Sequence, residues 1–231
     1  MDFETAYRNR YILARTFSNF LIIFGIFFLF FSMGPILKSE IWYKFKELKG
    51  FSFTLESKKD GVSAKDISPF GLLLSKYPPI KVDPVNRDFS IVIEKIAVNA
   101  PVVADVDVAD REKYLESLKY GVAQAKDSAR PGEIGNTYLF AHSALDFWNF
   151  GEYATVFTLL GKVEKGDRVV LFYKGQRYDY LVFGKEVVAG FNTEPLGRTY
   201  TEPVLTLQTC DPPSTALNRL IITAKLVKVG Y

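Results

Sequence analysis

The residues of this chain that could do chemistry are few, and two of them occur as single copies. Cys210 is the only cysteine and His142 the only histidine among 231 residues. A thiolate is a nucleophile for acyl transfer, and an imidazole can move the protons that such a transfer requires. Each residue ends a β-branched run, PVLTLQTC or NTYLFAH. Together they are the minimum set for thiol-based acyl chemistry.

Arg219 is predicted to lie beside Cys210. It begins the run RLIITAKLVKV, after a connection rich in proline, serine and threonine. If the two runs pair as antiparallel strands, the guanidinium and the thiol meet at one end of the sheet. A nearby cation favours the thiolate and stabilises negative charge on a substrate carbonyl.

A structural role also fits each of these residues taken alone. A lone cysteine in a strand is usually a small buried apolar residue, and a strand-end arginine is usually a surface charge. A single histidine in an apolar strand is more often structural than catalytic. Spacing alone therefore leaves both interpretations open.

The composition excludes several classes of site and partner. The 29 basic and 26 acidic residues give a net charge of +3, which is too small and too scattered to indicate a nucleic-acid partner. One cysteine cannot form an intramolecular disulfide. One cysteine with one histidine cannot form a Cys/His metal cluster.

The N-terminal part of the chain carries a candidate membrane anchor. Residues 17–37, FSNFLIIFGIFFLFFSMGPIL, contain no charge and lie between Arg15 and Lys38. A helix of this length, at about 1.5 Å per residue, crosses a hydrocarbon core of roughly 30 Å. A cleaved signal peptide is the alternative, but its apolar region is normally only about 7–15 residues long. We predict a retained transmembrane helix, whose orientation the flanking basic residues do not decide.

Residues 38–87 are predicted to form a juxtamembrane stalk and linker. In SEIWYKFKELKG, Ile41, Phe45 and Leu48 fall on one helical face, and Gly50 is a plausible helix stop. We favour a continuation of the anchor helix over a partner-binding helix. The charged segment ESKKDG and the proline-broken segment SPFGLLLSKYPPIKVDP then indicate a linker.

From Phe89 onwards the chain has the residue pattern of a β protein, with β-branched and aromatic runs between turn residues. Strands are predicted in FSIVIEKIAV, APVVADV, NTYLFAHS, DRVVLFY, RYDYLVFGKEVV, PVLTLQTC and RLIITAKLVKV. The segment YKGQ, residues 173–176, predicts a hairpin turn, and ADREKYLESLKYG predicts a helix with Asp110 as N-cap and Gly121 at its end. Seven or eight short strands with one or two helices predict an all-β fold, a closed or nearly closed barrel.

Three motifs, in order along the chain, connect these residues to a known family. The turn and strand PGEIGNTYLFAH end at His142, TLQTC ends at Cys210, and NRLIITAKLV contains Arg219. They match the Pro-Gly-x-x-Gly-Asn turn before a histidine, the Thr-Leu-x-Thr-Cys nucleophile motif and the strand-borne arginine of sortases. The segments IEKIAVNAPVV and LGKVEKGDRVVLFYKGQRYDYLV also follow that pattern. Over residues 88–229 the chain therefore resembles the sortases, membrane-bound cysteine transpeptidases of bacteria.

The resemblance implies a fold and a reaction. Residues 88–231 would form an eight-stranded sortase barrel, preceded by the transmembrane helix. The thiolate of Cys210 would attack a sorting signal resembling Leu-Pro-x-Thr-Gly on a secreted protein and form a thioester. An amine on a cell-wall precursor or a pilin-like protein would then take the acyl group. No metal or organic cofactor would be needed.

The resemblance also implies residue roles and a location. His142 would act as general acid and base, and Arg219 would position the substrate and stabilise the oxyanion. Thr209 and Leu207 would contribute to substrate binding. The protein would be a single-pass cell-membrane protein, with residues 1–16 in the cytoplasm and the catalytic domain on the extracellular face. The loop from Gly190 to Pro203, where the family usually sets substrate preference, carries no recognisable pattern.

Two other functions are compatible with the same residues. A membrane-anchored cysteine hydrolase would use the same three side chains but release its acyl group to water. A non-catalytic β-barrel adhesion or scaffold module would enclose Cys210 as an inert thiol. The reaction product separates the first alternative from a transpeptidase, and the reactivity of the thiol separates the second.

Overall fold

A computed structural model describes most of the chain. The backbone is described for residues 3–49, 53–55, 80–143, 153 and 155–230. Side chains are described for residues 10–28, 40–49, 83–143, 153 and 155–230. Gly50, the segment ESKKDG and most of SPFGLLLSKYPPIKVDP lie outside these ranges, so their predicted roles as helix stop and linker stay predictions.

A single long helix carries the N-terminal apolar run. Helix α1 spans Phe3–Lys49, so the predicted continuation beyond the apolar run is confirmed. Within it, Arg10–Phe28 has a mean hydropathy of 1.7, and none of this stretch is buried. By length and composition it is, among the described residues, the one helix that can cross a membrane, and a signal sequence would meet the same criteria. The predicted span overlaps this stretch from Phe17 to Phe28.

The regular elements in the rest of the described chain are strands and short helices. Strands β1 and β2 are Phe53–Leu55 and Ile80–Val82, which pair in parallel. The other strands are β3 Phe89–Ile93, β4 Val98–Val106, β5 Val122–Ala125, β6 Gly135–Phe140, β7 Arg168–Tyr173, β8 Gln176–Ala189, β9 Pro203–Asp211 and β10 Asn218–Gly230. Helix α2 is Arg111–Ser117, and 3₁₀ helices occupy Glu94–Ile96, Leu160–Lys162 and Glu194–Gly197.

Eight of these strands close into a barrel, as the sequence predicts. The order around the barrel is β10-β8-β7-β3-β4-β5-β6-β9, and β9 pairs with β10 to close it. The pairs β4–β5 and β6–β9 are parallel, and the other six are antiparallel. Strand β5, VAQA, is the barrel strand that the sequence analysis did not predict, because four residues are too few to show a period.

The barrel core explains the apolar strand residues. Ile91, Leu139, Leu171, Leu205 and Ile222 come from five different strands, and each has no exposed surface. Alternate residues of a strand point to opposite faces of a sheet, so every second residue of these strands enters the same interior. Burial of such a side chain contributes about 1.5–3 kcal/mol, and the barrel is therefore a rigid support for residues at its ends.

Two local predictions are confirmed in detail. The turn between β7 and β8 places Lys174 and Gly175 at φ angles of 49° and 80°, as a two-residue hairpin turn with two left-handed residues requires. At the start of α2, the side chain of Asp110 accepts a hydrogen bond from the amide of Lys113 at 3.1 Å. This bond satisfies one of the free amides of the first helical turn. Helix α2 ends at Ser117, before the predicted Gly121.

Candidate active site

The register of β9 and β10 places the thiol and the guanidinium together. Cys210 and Arg219 are direct cross-strand partners in this antiparallel pair. Residues opposite each other in such a pair project to the same face, with Cβ atoms about 4.5–5.5 Å apart. Both side chains are half-buried, so each lies between the core and the solvent. The thiol of Cys210 is therefore not enclosed in the core.

His142 is held beside Cys210 by hydrogen bonds on both of its flanks. Strand β6 runs parallel to β9, with Phe140 opposite Gln208. The hydroxyl of Thr209 donates to the carbonyl of Ala141 at 2.9 Å, and the hydroxyl of Ser143 donates to the carbonyl of Cys210 at 3.0 Å. These two bonds join the residues before and after His142 to the end of β9. The end of the barrel that carries Cys210, His142 and Arg219 is named the site end.

The turn before β6 shows why its motif contains glycine. Gly132 has a φ of 86°, and a Cβ at this position would lie 2.4 Å from Cε1 of Tyr178. The backbone amide of Gly132 donates a hydrogen bond to the hydroxyl of Tyr180 at 3.1 Å. A side chain would break this close approach, which helps to fix where β6 begins and hence where His142, two residues after its end, is placed.

Tyr114 belongs to the site although the sequence analysis did not single it out. It lies on α2, and its ring stacks on Phe140 at 5.1 Å with an interplanar angle of 6°. The same ring meets His142 edge to face, with centroids 6.3 Å apart. Burial is the main cause that raises the pKa of Tyr114; the charge of Cys210 raises it further and that of Arg219 lowers it. Tyr114 therefore lies near all three predicted residues, against the ring of His142 and within the electrostatic influence of Cys210 and Arg219.

Burial also sets the protonation of the imidazole. It lowers the pKa of His142 below its usual 6.5. The neutral form is thus favoured near neutral pH, and the protonated form is a stronger acid than a histidine in water. Both features suit a group that must give up and recover a proton.

Thr209 and Leu207 lie on the other side of β9 from the thiol. Leu207 has no exposed surface and packs in the barrel core, and Thr209 is 4% exposed. The hydroxyl of Thr209 is used to hold the backbone beside His142. Contact of Thr209 and Leu207 with a substrate stays a prediction. In the structure they support the strand that carries Cys210.

The loop between β8 and β9 is held to the barrel by side-chain hydrogen bonds. Arg198 donates twice to the carboxylate of Glu194, at 2.8 and 2.6 Å, and once to Glu186 on β8. Asn136 on β6 donates to the carbonyl of Pro195 at 3.4 Å. Its own side-chain oxygen accepts from Thr206 on β9 at 2.7 Å. The loop without a recognisable sequence pattern is therefore bound to two barrel strands, β8 and β6.

The assembled residues are of the types that acyl transfer requires. A half-buried thiol, an imidazole held beside it and a guanidinium directly across from it supply a nucleophile, a proton carrier and a cation for a developing oxyanion. Arg219 also donates to the carbonyl of Asn218 at 3.0 Å, which leaves further donors of its planar fork for a ligand.

Comparison with protein families and curated proteins gives a consistent result. The family model described as "Sortase domain" matches residues 91–227, more than half of the chain. Sortase D of Bacillus subtilis is 31% identical over 138 residues, which cover 58% of this chain and 61% of that protein. The chain therefore spans less than two thirds of the length of this relative.

Solved structures give the same family name. Sortase C-1 from Actinomyces oris is 27% identical, with a TM-score of 0.50 over 62% of this chain and 76% of that one. A lid mutant of sortase A from Corynebacterium diphtheriae is 23% identical, with a TM-score of 0.51 over 84% of this chain and 93% of that one. At 23% identity the second likeness shows the shared fold alone.

Proposed function

The chain belongs to the sortase family, and we propose that it is a membrane-anchored cysteine transpeptidase that cleaves a C-terminal sorting signal on secreted proteins. The observation that carries the proposal is the placement of Arg219 directly opposite Cys210, with His142 fastened to the same strand end. The substrate would be a signal resembling Leu-Pro-x-Thr-Gly. The acyl group would pass to an amine on a cell-wall precursor or a pilin-like protein.

In the first half of the proposed reaction the thiol of Cys210 passes its proton to His142, and the resulting thiolate attacks the carbonyl carbon of the scissile amide. A carbon–sulfur bond forms and negative charge develops on the carbonyl oxygen, next to the guanidinium of Arg219. The carbon–nitrogen bond then breaks, and His142 gives its proton to the leaving amine. The product is a thioester on Cys210 and a free amine.

In the second half an incoming amine attacks the thioester. His142 accepts a proton from this amine, the carbon–sulfur bond breaks and the thiolate of Cys210 is regenerated. The low pKa that burial gives His142 keeps the imidazole neutral and able to accept this proton near neutral pH. The new bond is an amide, so the reaction needs no net oxidation and consumes no water.

We propose a domain organisation to match. Residues 1–16 are cytoplasmic, 17–37 cross the membrane, 38–87 link the anchor to the barrel, and 88–231 form the catalytic domain outside the cell. The exposed apolar stretch of α1 supports the crossing, and secreted substrates support the orientation. Protease added to intact, wall-stripped cells should therefore digest the barrel; its full protection would contradict the orientation.

Peptide turnover tests the proposed reaction. The full chain in detergent is incubated with a small library of sorting-signal peptides, with and without an amine acceptor, and the products are read by mass spectrometry. We expect an amide product with the acceptor and a thioester adduct on Cys210 without it. The variant C210A should give neither while its circular dichroism stays unchanged.

The same measurement separates the alternatives. Release of the free acid alone, with the acceptor in excess, would identify a hydrolase. Failure of every peptide, or turnover by C210A, would overturn the proposed chemistry. A thiol of the folded chain that resists alkylation would favour a non-catalytic barrel.

A further inference from the structure

Strand β6 ends just before Ala141, yet its bonding to β9 continues. The amide of Ala141 donates to the carbonyl of Gln208 at 3.2 Å. In a parallel pair such bonds recur at every second residue of a strand, so the next one would reach the carbonyl of Cys210. The hydroxyl of Ser143 donates to this carbonyl at 3.0 Å. A side chain thus continues the pairing after the strand has ended, and His142 lies between the two bonds.

Ser143 joins three parts of the site end. It is only 1% exposed, so water has little access to its hydrogen bonds. Its backbone carbonyl accepts from Ser214, which lies in the loop 212–217 between β9 and β10. The amide of Ser214 donates at 2.9 Å, and its hydroxyl lies at 3.4 Å from the same carbonyl oxygen. One buried residue therefore connects the segment that carries the imidazole to the strand that carries the thiol and to the loop that follows this strand.

Ser214 makes these contacts in a left-handed backbone conformation. Its φ is 66°, a region that residues other than glycine rarely adopt. Thr215 closes a turn around it, because its amide and its hydroxyl donate to the carbonyl of Pro212 at 3.1 and 2.8 Å. Uncommon backbone conformations of this kind cluster at functional sites. Here the conformation accompanies an amide that donates to Ser143.

The other end of the same loop is held against β8. The amide of Gly190 donates to the carbonyl of Leu217 at 2.8 Å. A Cβ at Gly190 would lie 2.1 Å from the carbonyl oxygen of Ala216, so this close approach requires glycine. The loop is therefore bonded both to Ser143 and to β8, although several of its residues are exposed.

The backbone of His142 is also bonded on its far side from β9. Its carbonyl accepts from the amide of Phe157 at 3.3 Å, which restrains the backbone without connecting it to β9. Side-chain bonds to β9 involve Thr209, which bonds to the residue before the imidazole, and Ser143, which follows it. Ser143 differs from Thr209 because its bond ends on the residue that carries the thiol.

We propose that Ser143 is a positioning residue, whose hydrogen bonds to Cys210 and Ser214 fix the separation of the imidazole and the thiol. The β9–β10 loop then supports the site as well as connecting two strands. Proton transfer requires the two groups to lie within hydrogen-bond reach, and a displacement of about 1 Å can lower the rate roughly 10²-fold. The consequence for turnover rests on the proposed function, and the geometric statement does not.

Two single-copy residues allow the geometry to be tested without catalysis. His142 is the only histidine, so its ring gives a unique set of NMR signals in full-length, histidine-labelled protein in detergent micelles. Removal of the sulfur in C210A shifts these signals only if the thiol lies close to the ring. We expect a clear shift in the parent chain and about half of it or less in an S143A background. Equal shifts in both backgrounds would overturn the proposal.

A buried serine at the other end of the barrel supplies the matched control. Ser90 has no exposed surface, and its hydroxyl donates to the carbonyl of Asn86 at 2.6 Å. It pairs with Phe172, next to the β7–β8 hairpin and away from Arg219. S90A therefore removes a comparable bond far from the site. The shift caused by C210A should be the same in an S90A background as in the parent chain.

Variants of Ser214 test the part of the loop, and they also decide the proposal if circular dichroism shows that S143A does not fold. S214G keeps the amide and suits a positive φ, so the shift caused by C210A should be retained. S214V places a β-branched residue in that conformation and should reduce the shift. T215A, a change in the same loop that leaves the bonds of Ser143 intact, is the control. No difference between S214G and S214V would overturn the role of the loop.

Turnover of sorting-signal peptides tests the consequence for the reaction. S143A should lower kcat roughly tenfold and change KM less than about twofold, with a fall in Tm similar to that of S90A. An unchanged kcat, or a loss of activity that a larger fall in Tm accounts for, would overturn the positioning role. If the parent chain cleaves no peptide, the proposed function fails, and the NMR comparison still decides the geometry.

Discussion

The ring of Tyr114 meets the imidazole of His142 edge to face, with centroids 6.3 Å apart and an angle of 89° between the planes. Aromatic contacts of this geometry hold a ring in one orientation and exclude water from its edge. Tyr114 is itself fixed by stacking on Phe140. We therefore expect this residue of α2 to influence how the imidazole faces the thiol.

Removal of the Tyr114 ring should impair turnover and change its pH dependence. Such contacts are worth about 0.5–1.5 kcal/mol, so Y114A should lower kcat/KM roughly 2- to 12-fold. Water admitted to His142 should also raise its pKa toward 6.5, and this shifts the pH–rate profile to higher pH. Y114F keeps the ring and should resemble the parent chain. Y120A, a change at an exposed tyrosine nearby, is the control. A pH profile unchanged in Y114A would contradict the positioning role.

Arg219 should act mainly on the transition state. Loss of one oxyanion donor typically costs about 10²–10³ in kcat, so R219A should fall by this amount with little change in Tm. R219K keeps the charge but loses the planar fork and should recover only part of the rate. The exposed Arg168 provides a control, R168A, with almost no kinetic effect. A large drop in Tm that accounts for the lost activity would instead make Arg219 structural.

The buried imidazole should make stability depend on pH. Burial lowers the pKa of His142 below 6.5, so the folded chain binds fewer protons there than the unfolded chain. The stability that comes from burying a neutral imidazole is fully present above pH 6.5. It is lost as the pH falls through the pKa of His142 in the folded chain. H142Q should therefore lose less stability than the parent chain between about pH 7.5 and 5. Denaturant unfolding at both pH values measures this, and parallel losses would contradict it.

Arg198 should hold the β8–β9 loop in place. R198A removes its bonds to Glu194 and Glu186, and amide exchange in residues 190–203 should become several-fold faster. Because these ion pairs are partly exposed, Tm should change little. KM for the peptide should rise more than kcat falls. K119A breaks an exposed ion pair with Glu116 elsewhere and serves as control. Unchanged exchange in the loop would show that other contacts hold it.

Local features of this fold could be predicted because they depend on neighbours in sequence. The turn at Lys174 and Gly175 and the cap at Asp110 involve residues at most three positions apart, and both were correct. The strands were predicted from runs of β-branched residues, and the barrel from their number. The motifs around His142, Cys210 and Arg219 gave the family.

The tertiary structure alone decided features that depend on distant contacts. Ile41, Phe45 and Leu48 share a helical face, yet the barrel contacts Glu40, Tyr43 and Lys46, because ion pairing and backbone carbonyls at its site end select that face.

Tyr114 shows the same limit at the site. In sequence it is one aromatic residue on a short helix, 28 positions from His142. Closure of the barrel brings α2 against the end of β6, where the ring meets Phe140 and His142. The sequence by itself determined which residues are of reactive types and most of the segments that become strands. The strand register, the partners of α1 and the surroundings of the imidazole arise only when the barrel closes, because long-range pairing sets them.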